Sequence, residues 1–198
     1  MHKILLPVLA FLFSLSSFAF SLSRTVHVNA GIPFIKHEGN GAFDSYLSME
    51  VNYAPVKELF KAVVQAERKK LKNRGEAHIT VVTPVEFFEV LKNKITIKEI
   101  NEIALKNEIQ KSSFKVVCLG KGSLKNDDTY FIVVKSSDLF EIRRKIQKLY
   151  ESRGGKVGAF EAQHFFPHIT LGFTSRDLHE ADGVVKNEKA CIADIELL

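Results

Sequence analysis

The sequence feature that most constrains the fold is a tripeptide, His-Ile-Thr, that occurs twice in surroundings typical of a β-strand. It stands at residues 78–80 within Glu-Ala-His-Ile-Thr-Val-Val, and at residues 168–170 within Phe-Phe-Pro-His-Ile-Thr-Leu-Gly-Phe. Side chains alternate between the two faces of a strand, so the histidine and threonine of each tripeptide share one face. The isoleucine between them points to the other face and can enter a core. We therefore predict two strands that each present a histidine and a threonine to a polar surface.

The segments that lead to the two tripeptides follow the same order. Tyr46 begins the strand-like run Tyr-Leu-Ser-Met-Glu-Val, and Tyr130 begins Tyr-Phe-Ile-Val-Val-Lys. Each run is followed by apolar residues at helical spacing, then by Arg-Gly, then by the tripeptide. This order predicts an internally duplicated α+β chain. In such a chain the two tripeptide strands lie about a pseudo-two-fold axis, which places the two histidines on opposite sides of one cleft.

The remaining pattern predicts further elements between and after these units. Short helices are expected over residues 84–94 and 96–106, the second with capping-box spacing from Thr96 to Glu99. Strands are expected over residues 114–119 and 190–197. Gly120-Lys-Gly-Ser lacks the spacing of a phosphate-binding loop, so we interpret it as a turn.

A basic run, Arg68-Lys-Lys-Leu-Lys-Asn-Arg74, is expected at the end of the first helix. Positive charge there complements the helix dipole, and we favour this interpretation over a nucleic-acid patch. The formal net charge of the chain is +5, a modest excess that suits a polyanionic ligand without requiring one.

The first twenty residues have the form of a secretory signal peptide. A short basic start is followed by an apolar run and then by small residues, with cleavage expected after Ala19, or alternatively after Ser21 or Ser23. We predict a signal peptide over residues 1–20, an N-terminal arm over 21–41 and one domain over 42–198. The protein is then secreted or periplasmic, without stable membrane association once the leader is removed; the alternative is an uncleaved membrane anchor.

Only two cysteines are present, Cys118 and Cys191. This number excludes a disulfide-rich scaffold and a cysteine-built zinc site. In an oxidising compartment the pair can form a bridge, and two buried free thiols are equally compatible with the sequence.

Two histidines across one cleft suit acid–base catalysis on a phosphodiester. The imidazole pKa lies near 6.5, so at neutral pH one ring can accept a proton from water while the other donates one to the leaving ribose oxygen. Thr80 and Thr170 can donate hydrogen bonds to the phosphate oxygens as negative charge develops on them.

The two His-Ile-Thr motifs on duplicated halves resemble the 2H phosphoesterase superfamily, over residues 43–197. The resemblance implies a bilobal fold in which two antiparallel sheets flank a central cleft, with the helices outside. It also implies metal-independent catalysis without a cofactor, by His78 and His168, with Thr80 and Thr170 as phosphate ligands. The implied substrates are 2′,3′-cyclic phosphates, 2′-5′ linked oligonucleotides or cyclic ADP-ribose phosphates, so a nucleotide or an RNA end is the expected partner of a monomeric enzyme.

Two other classes of function remain open at this stage. One is a non-catalytic secreted module that keeps the cleft and binds a nucleotide or an RNA end. The other is a metalloprotein that uses His78, His168 and His164, which we disfavour because no carboxylate stands at ligand spacing beside them. We expect His164 to be solvent-exposed, and we assign no role to His27, His37 or His179.

Overall fold

Eight strands, three α-helices and one π-helix make up the part of the chain that the computed structural model describes, residues 19–29 and 31–198. The signal peptide expected over residues 1–20 therefore lies outside the described residues except at its last two positions. The strands are β1 (Phe20–Leu22), β2 (Leu47–Glu50), β3 (His78–Val82), β4 (Lys115–Leu124), β5 (Asp127–Lys135), β6 (His168–Phe173), β7 (Cys191–Ala193) and β8 (Ile195–Leu197). The helices are α1 (Tyr53–Glu67), α2 (Ile97–Lys106), α3 (Ser137–Ser152) and the π-helix Glu86–Val90.

Six of the strands form one antiparallel sheet in the order β2-β3-β6-β5-β4-β7, and β1 pairs with β8 in a separate parallel pair. The expectation of two antiparallel sheets facing each other across a cleft was therefore wrong. The two tripeptide strands are direct neighbours, since Ile79 pairs with Ile169 and so joins the two halves of the chain into one sheet. This junction has a single residue pair, whereas β5 and β6 share five.

The helices cover the face of the sheet that carries the apolar residues. Ile79 and Ile169 lie in the main core, fully shielded from solvent, with the inner residues of α1 and α3. Asn52 caps α1 and Ser136 caps α3, each by accepting a hydrogen bond from a backbone N–H of the first turn. The capping box of α2, between Thr96 and Glu99, is confirmed. With one face packed in this way, the His and Thr side chains lie on the opposite face.

The helix α1 ends six residues before the end of the basic run that was assigned to it. Arg68 adopts a left-handed conformation (φ 53°) and terminates the helix. The chain then returns to the sheet, where Lys72 exchanges two backbone hydrogen bonds with Phe173, at 2.8 and 2.9 Å. A Cβ atom at Gly172 would lie 2.7 Å from the Lys72 carbonyl oxygen, so glycine is required for this close approach. The basic run is thus an extended segment beside β6 and not a solvated helix end.

The segment from Gly120 to Ser123 is part of β4, and the interpretation as a turn was wrong. The turn follows at Lys125 and Asn126, between β4 and β5. A Cβ atom at Gly120 would approach the Phe131 ring to 2.4 Å, and one at Gly122 would approach the Val184 side chain to 2.2 Å. These glycines therefore allow side chains to pack on the strand.

Cys118 on β4 and Cys191 on β7 form a disulfide, with 5.8 Å between their Cα atoms. The bridge decides between the two alternatives that the sequence left open, and it ties the edge strand β7 to the sheet. Part of the expected N-terminal arm is also integrated, because Leu22 and Val26 are buried in the main core. Among the described residues, no helix is both long and apolar enough to cross a membrane.

Candidate active site

The two His-Ile-Thr motifs lie side by side on the face of the sheet opposite the helices. The two isoleucines are buried in the core, so alternation places His78, Thr80, His168 and Thr170 together on the other face, where each is half-buried. The antiparallel register puts His78 across from Thr170 and Thr80 across from His168. The two histidines are then diagonal neighbours, with Cβ atoms roughly 7–8 Å apart in ordinary sheet geometry. This spacing leaves room for one phosphate group between the two rings.

The His168 ring is fixed in one tautomer by the backbone. Its Nδ1 lies 2.8 Å from the carbonyl oxygen of Phe166. A carbonyl oxygen only accepts hydrogen bonds, so Nδ1 carries the proton and Nε2 keeps its lone pair. Burial, together with the positive charge of Lys186, lowers the pKa of His168 to about 3. At neutral pH His168 is therefore a neutral ring with a free Nε2, which is the state of a general base.

The surroundings of His78 carry the opposite charge. Its Nδ1 lies 3.4 Å from Oε1 of Glu76, and Glu50 is its partner residue on the adjacent strand β2. Burial lowers the pKa of His78, while the charges of Glu50 and Glu76 oppose that shift. These carboxylates stabilise the protonated ring, which is the state of a general acid. Carboxylates beside one histidine and an ammonium group beside the other thus give the two rings different proton affinities.

The threonine hydroxyls also differ in their contacts. Thr170 donates to Oδ2 of Asp177 at 3.3 Å. For the Thr80 hydroxyl there is no hydrogen-bond partner among the described residues, so it is free to donate to a bound anion. Both threonines occupy the positions expected of phosphate ligands, and only Thr80 has an uncommitted donor.

Asp177 is the centre of a buried polar network that sequence reasoning missed. It accepts hydrogen bonds from Thr129 and from Lys186, both at 2.7 Å, and Arg74 lies 3.5 Å away. Burial alone would raise the pKa of Asp177, but Lys186 and the hydrogen bonds outweigh that effect and lower it. The side chain of Lys186 is only 4% exposed, so its charge is held at a defined place beside His168. The network anchors Thr170 and positions one cation at the site.

Arg74 supplies a second cation, and it belongs to the basic run that was first assigned to a helix end. Its charge contributes to lowering the pKa of both His78 and His179, so it lies near the two sides of the site. Nearly half of its side chain is exposed, which leaves the guanidinium accessible to a ligand. Its place four residues before His78 is the only sequence signal that could have identified it.

Of the histidines to which the sequence assigned no role, two contact the site. Burial lowers the pKa of His179, and the charge of Asp177 opposes this shift. His37 lies 3.6 Å from Oε1 of Glu50 and stacks on Tyr46 with 3.9 Å between the ring centroids. By contrast, His164 is exposed, as expected, and contacts Glu180 at 3.0 Å.

The statement that no carboxylate stands beside the motif histidines was wrong for His78. One ligand atom each from Glu50, Glu76 and His78 lies within 4.8 Å of the others. Glu76 precedes His78 by two residues and Glu50 lies across the strand pair, so only the folded sheet brings Glu50 to the ring. These are the described residues that could hold a metal ion at this site.

A cavity of about 470 Å³ continues the site beyond His168. Its walls come from the end of β5, the first turn of α3, the segment before β6 and the chain around Lys186. Aromatic and basic side chains are prominent in its lining, which includes Phe140, Phe165, Phe166, Pro167, Lys186 and Lys189. A volume of this size accommodates a small organic group attached to the phosphate.

Comparison with known proteins supports the same site. No curated protein matches the chain significantly. Residues 45–179 match the family described as Swiss Army Knife, 2H phosphoesterase domain, which covers more than half of the chain and includes both His-Ile-Thr motifs. The duplicated motif, its placement on one sheet face and this match together show that the chain belongs to the 2H phosphoesterase family.

Proposed function

We propose that this protein is a metal-independent phosphodiesterase that hydrolyses 2′,3′-cyclic phosphates or 2′-5′ phosphodiester bonds of nucleotides or RNA ends. Membership of the family implies phosphoesterase activity. The observation that carries the finer proposal is the opposite charge around two histidines on one sheet face, carboxylates at His78 and an ammonium group at His168.

In the proposed reaction, Nε2 of His168 takes a proton from water and the resulting hydroxide attacks phosphorus. A new P–O bond forms, the bond to the leaving ribose oxygen breaks, and His78 gives its proton to that oxygen. The bound phosphate adds negative charge beside His78 and so raises the pKa of this ring towards the value that a general acid needs. Proton exchange with solvent then restores both rings.

Charge on the non-bridging oxygens increases along this path. Thr80 donates a hydrogen bond to them, while Lys186 and Arg74 stabilise the charge through space. The cavity beyond His168 takes the nucleoside part of the substrate, where its phenylalanines offer faces for a base and its lysines suit a polyanionic chain.

We also propose that the chain arose from two equivalent β-α-β units. The register supports this, because β2 and β5 each shift pairing at one place, between Leu47 and Ser48 and between Tyr130 and Phe131. This equivalence pairs Leu47 with Tyr130, one residue away from the match of Tyr46 with Tyr130 that the sequence suggested.

Secretion or export to a periplasm, as a monomer without stable membrane association, completes the proposal. The disulfide between Cys118 and Cys191 supports an oxidising location, since such bridges persist outside reducing compartments.

The deciding experiment is turnover of purified mature protein on 2′,3′-cyclic nucleotides and short 2′-5′ oligonucleotides in the presence of a chelator. We expect hydrolysis that survives chelation. Tight binding of these ligands with no turnover would instead establish the alternative, a non-catalytic module for nucleotides or RNA ends. Activity that requires added zinc would refute the metal-independent mechanism.

A further inference from the structure

A second cluster of potential ligands lies behind His78, on strand β2 and the segments next to it. It comprises His37, Glu50, Glu76 and His78, which we call the His37 cluster. Oε1 of Glu50 lies 3.6 Å from Nε2 of His37, and Oε1 of Glu76 lies 3.4 Å from Nδ1 of His78. Stacking on Tyr46, at 3.9 Å between ring centroids, holds the His37 ring in place.

Two ring nitrogens in this cluster are buried without a hydrogen-bond partner. They are Nε2 of His37 and Nδ1 of His78. A buried polar atom left without a partner costs about 1–3 kcal/mol, so such atoms usually have a bound species to satisfy them. Both nitrogens face a carboxylate oxygen, and neither pair meets the geometry of a hydrogen bond.

The separations fit two ligands of one metal ion. Zinc binds histidine nitrogen and carboxylate oxygen at about 2.0–2.2 Å, which puts neighbouring ligands of a tetrahedron roughly 3.3–3.5 Å apart. The two nitrogen–oxygen distances of 3.4 and 3.6 Å are close to this edge length. Two neutral imidazoles and two carboxylates also balance the charge of a divalent cation.

The surroundings have two further properties of a metal site. Ser48 donates a hydrogen bond to Oε1 of Glu50 at 2.8 Å, and the backbone of Glu50 is fixed by two hydrogen bonds with Gln110. Such outer contacts orient a ligating carboxylate. The side chain of Glu76 is 47% exposed and provides a path of entry for the ion.

We propose that the His37 cluster is a binding site for one divalent transition-metal ion of the zinc type. The ion bonds to Nδ1 of His78, which leaves the proton on Nε2, the nitrogen available to the substrate. The inference of binding goes beyond the proposed function and does not depend on it.

The proposed site has a consequence for catalysis if the phosphodiesterase mechanism holds. A ring with a metal on Nδ1 is a weaker acid at Nε2 than the doubly protonated imidazolium. Zinc therefore slows transfer of the proton to the leaving group. The ion acts as an inhibitor, which agrees with hydrolysis that survives chelation.

Zinc titration of the chelator-stripped full-length mature protein, by competition with a chromophoric chelator, tests the site without substrate. We expect one tight equivalent, and a loss of affinity of at least tenfold in His37→Gln and in Glu50→Gln. Circular dichroism shows whether each variant is folded, and His37 is the safer of the two because its loop position does not pair in the main sheet. His164→Gln is the matched control, since it removes an exposed His–Glu pair and should leave zinc affinity unchanged.

Three results would overturn the proposal. The first is the absence of micromolar binding, and the second is unchanged affinity in folded His37→Gln. The third is binding that survives His37→Gln and is lost in His168→Ala, which would place the ion across the catalytic cleft instead. In the activity assay, zinc should inhibit the parent and lose at least tenfold in potency on His37→Gln, and an unchanged rate at full occupancy would exclude the inhibitory effect.

Discussion

At the scale of single residues, two copies of one tripeptide have acquired different chemistry. His168 donates from Nδ1 to a backbone carbonyl and lies beside a buried ammonium group, while His78 lies between two carboxylates. Burial lowers both pKa values, and the local charge then acts in opposite directions on the two rings. This difference assigns the base and the acid, which the identical motifs do not.

His78→Ala and His168→Ala should each reduce turnover by about two to four orders of magnitude, the usual effect of removing a positioned proton donor or acceptor. The double variant should be scarcely slower than either single variant, because both rings act in one step. Single-turnover rates of the three variants test this, with His164→Ala as a control of unchanged rate. Additive losses would contradict a joint acid–base mechanism.

Thr80→Val and Thr170→Val should each lower turnover by roughly tenfold to a thousandfold while the protein stays folded, since valine keeps the shape and removes the donor. Only Thr170→Val should also cost stability, by about 1 kcal/mol, because Thr170 bonds to Asp177. Steady-state kinetics and urea denaturation separate the two effects. Parental turnover in both variants would show that neither threonine contacts the phosphate.

The pH profile of kcat/KM should be bell-shaped, with two apparent pKa values that belong to the pair of histidines. The free enzyme must have His168 deprotonated and His78 protonated. Since burial lowers the pKa of His78 below 6.5, kcat/KM should fall as the pH rises through that lowered value. Bound phosphate raises the pKa of His78, so the falling limb of kcat should lie at higher pH than that of kcat/KM. A falling limb of kcat/KM above pH 8 would contradict this assignment.

At the scale of elements, the segments that complete the site have little secondary structure of their own. The basic run after α1 brings Arg74 to the site, and the chain between β6 and β7 brings Asp177 and Lys186. Both segments are held by pairing with ordered strands, through Lys72 and Phe173 in one case and through the disulfide in the other. Their positions therefore depend on the sheet that they cover.

Loss of the disulfide should lower the free energy of unfolding by about 2–4 kcal/mol, because the bridge closes a long loop and restricts the unfolded chain. Urea denaturation of the Cys118→Ser, Cys191→Ser double variant measures this cost. A reducing agent should lower the stability of the parent by a similar amount and leave the variant unaffected. Equal stability of parent and variant would show that the bridge contributes nothing.

At the scale of the whole molecule, the ends of the mature chain meet. The strand β1 begins one residue after the expected cleavage position at Ala19, and it pairs with β8 at the other end. Leu22 of β1 is buried in the main core. Cleavage after Ser21 or Ser23 would remove or interrupt this strand, so the fold favours cleavage after Ala19.

Exported protein should therefore begin at Phe20. Intact-mass measurement of secreted or periplasmic material tests this directly, since the three candidate cleavage positions give different masses. A mass that includes residues 1–19 would refute export with removal of the leader. A variant with Ala19→Arg should accumulate uncleaved, because the residue before the cleavage position must be small.

The sequence by itself determined the elements and the reacting side chains. Alternation in the strands and the 3.6-residue period in the helices are local properties, so β3, β6 and their four polar residues could be predicted, as could the capping box of α2. The bounds of α1 and β4 could not, because a left-handed Arg68 and the packing of Phe131 over Gly120 depend on neighbouring chain segments.

Only the tertiary structure decided how the two halves meet and which charge lies beside each histidine. Pairing of Ile79 with Ile169 makes one sheet where two were expected. Glu50 reaches His78 from the adjacent strand, and Lys186 reaches His168 from a later loop. Electrostatic interaction depends on distance in space and on burial, neither of which is encoded by sequence spacing, so identical tripeptides became an acid and a base only through folding.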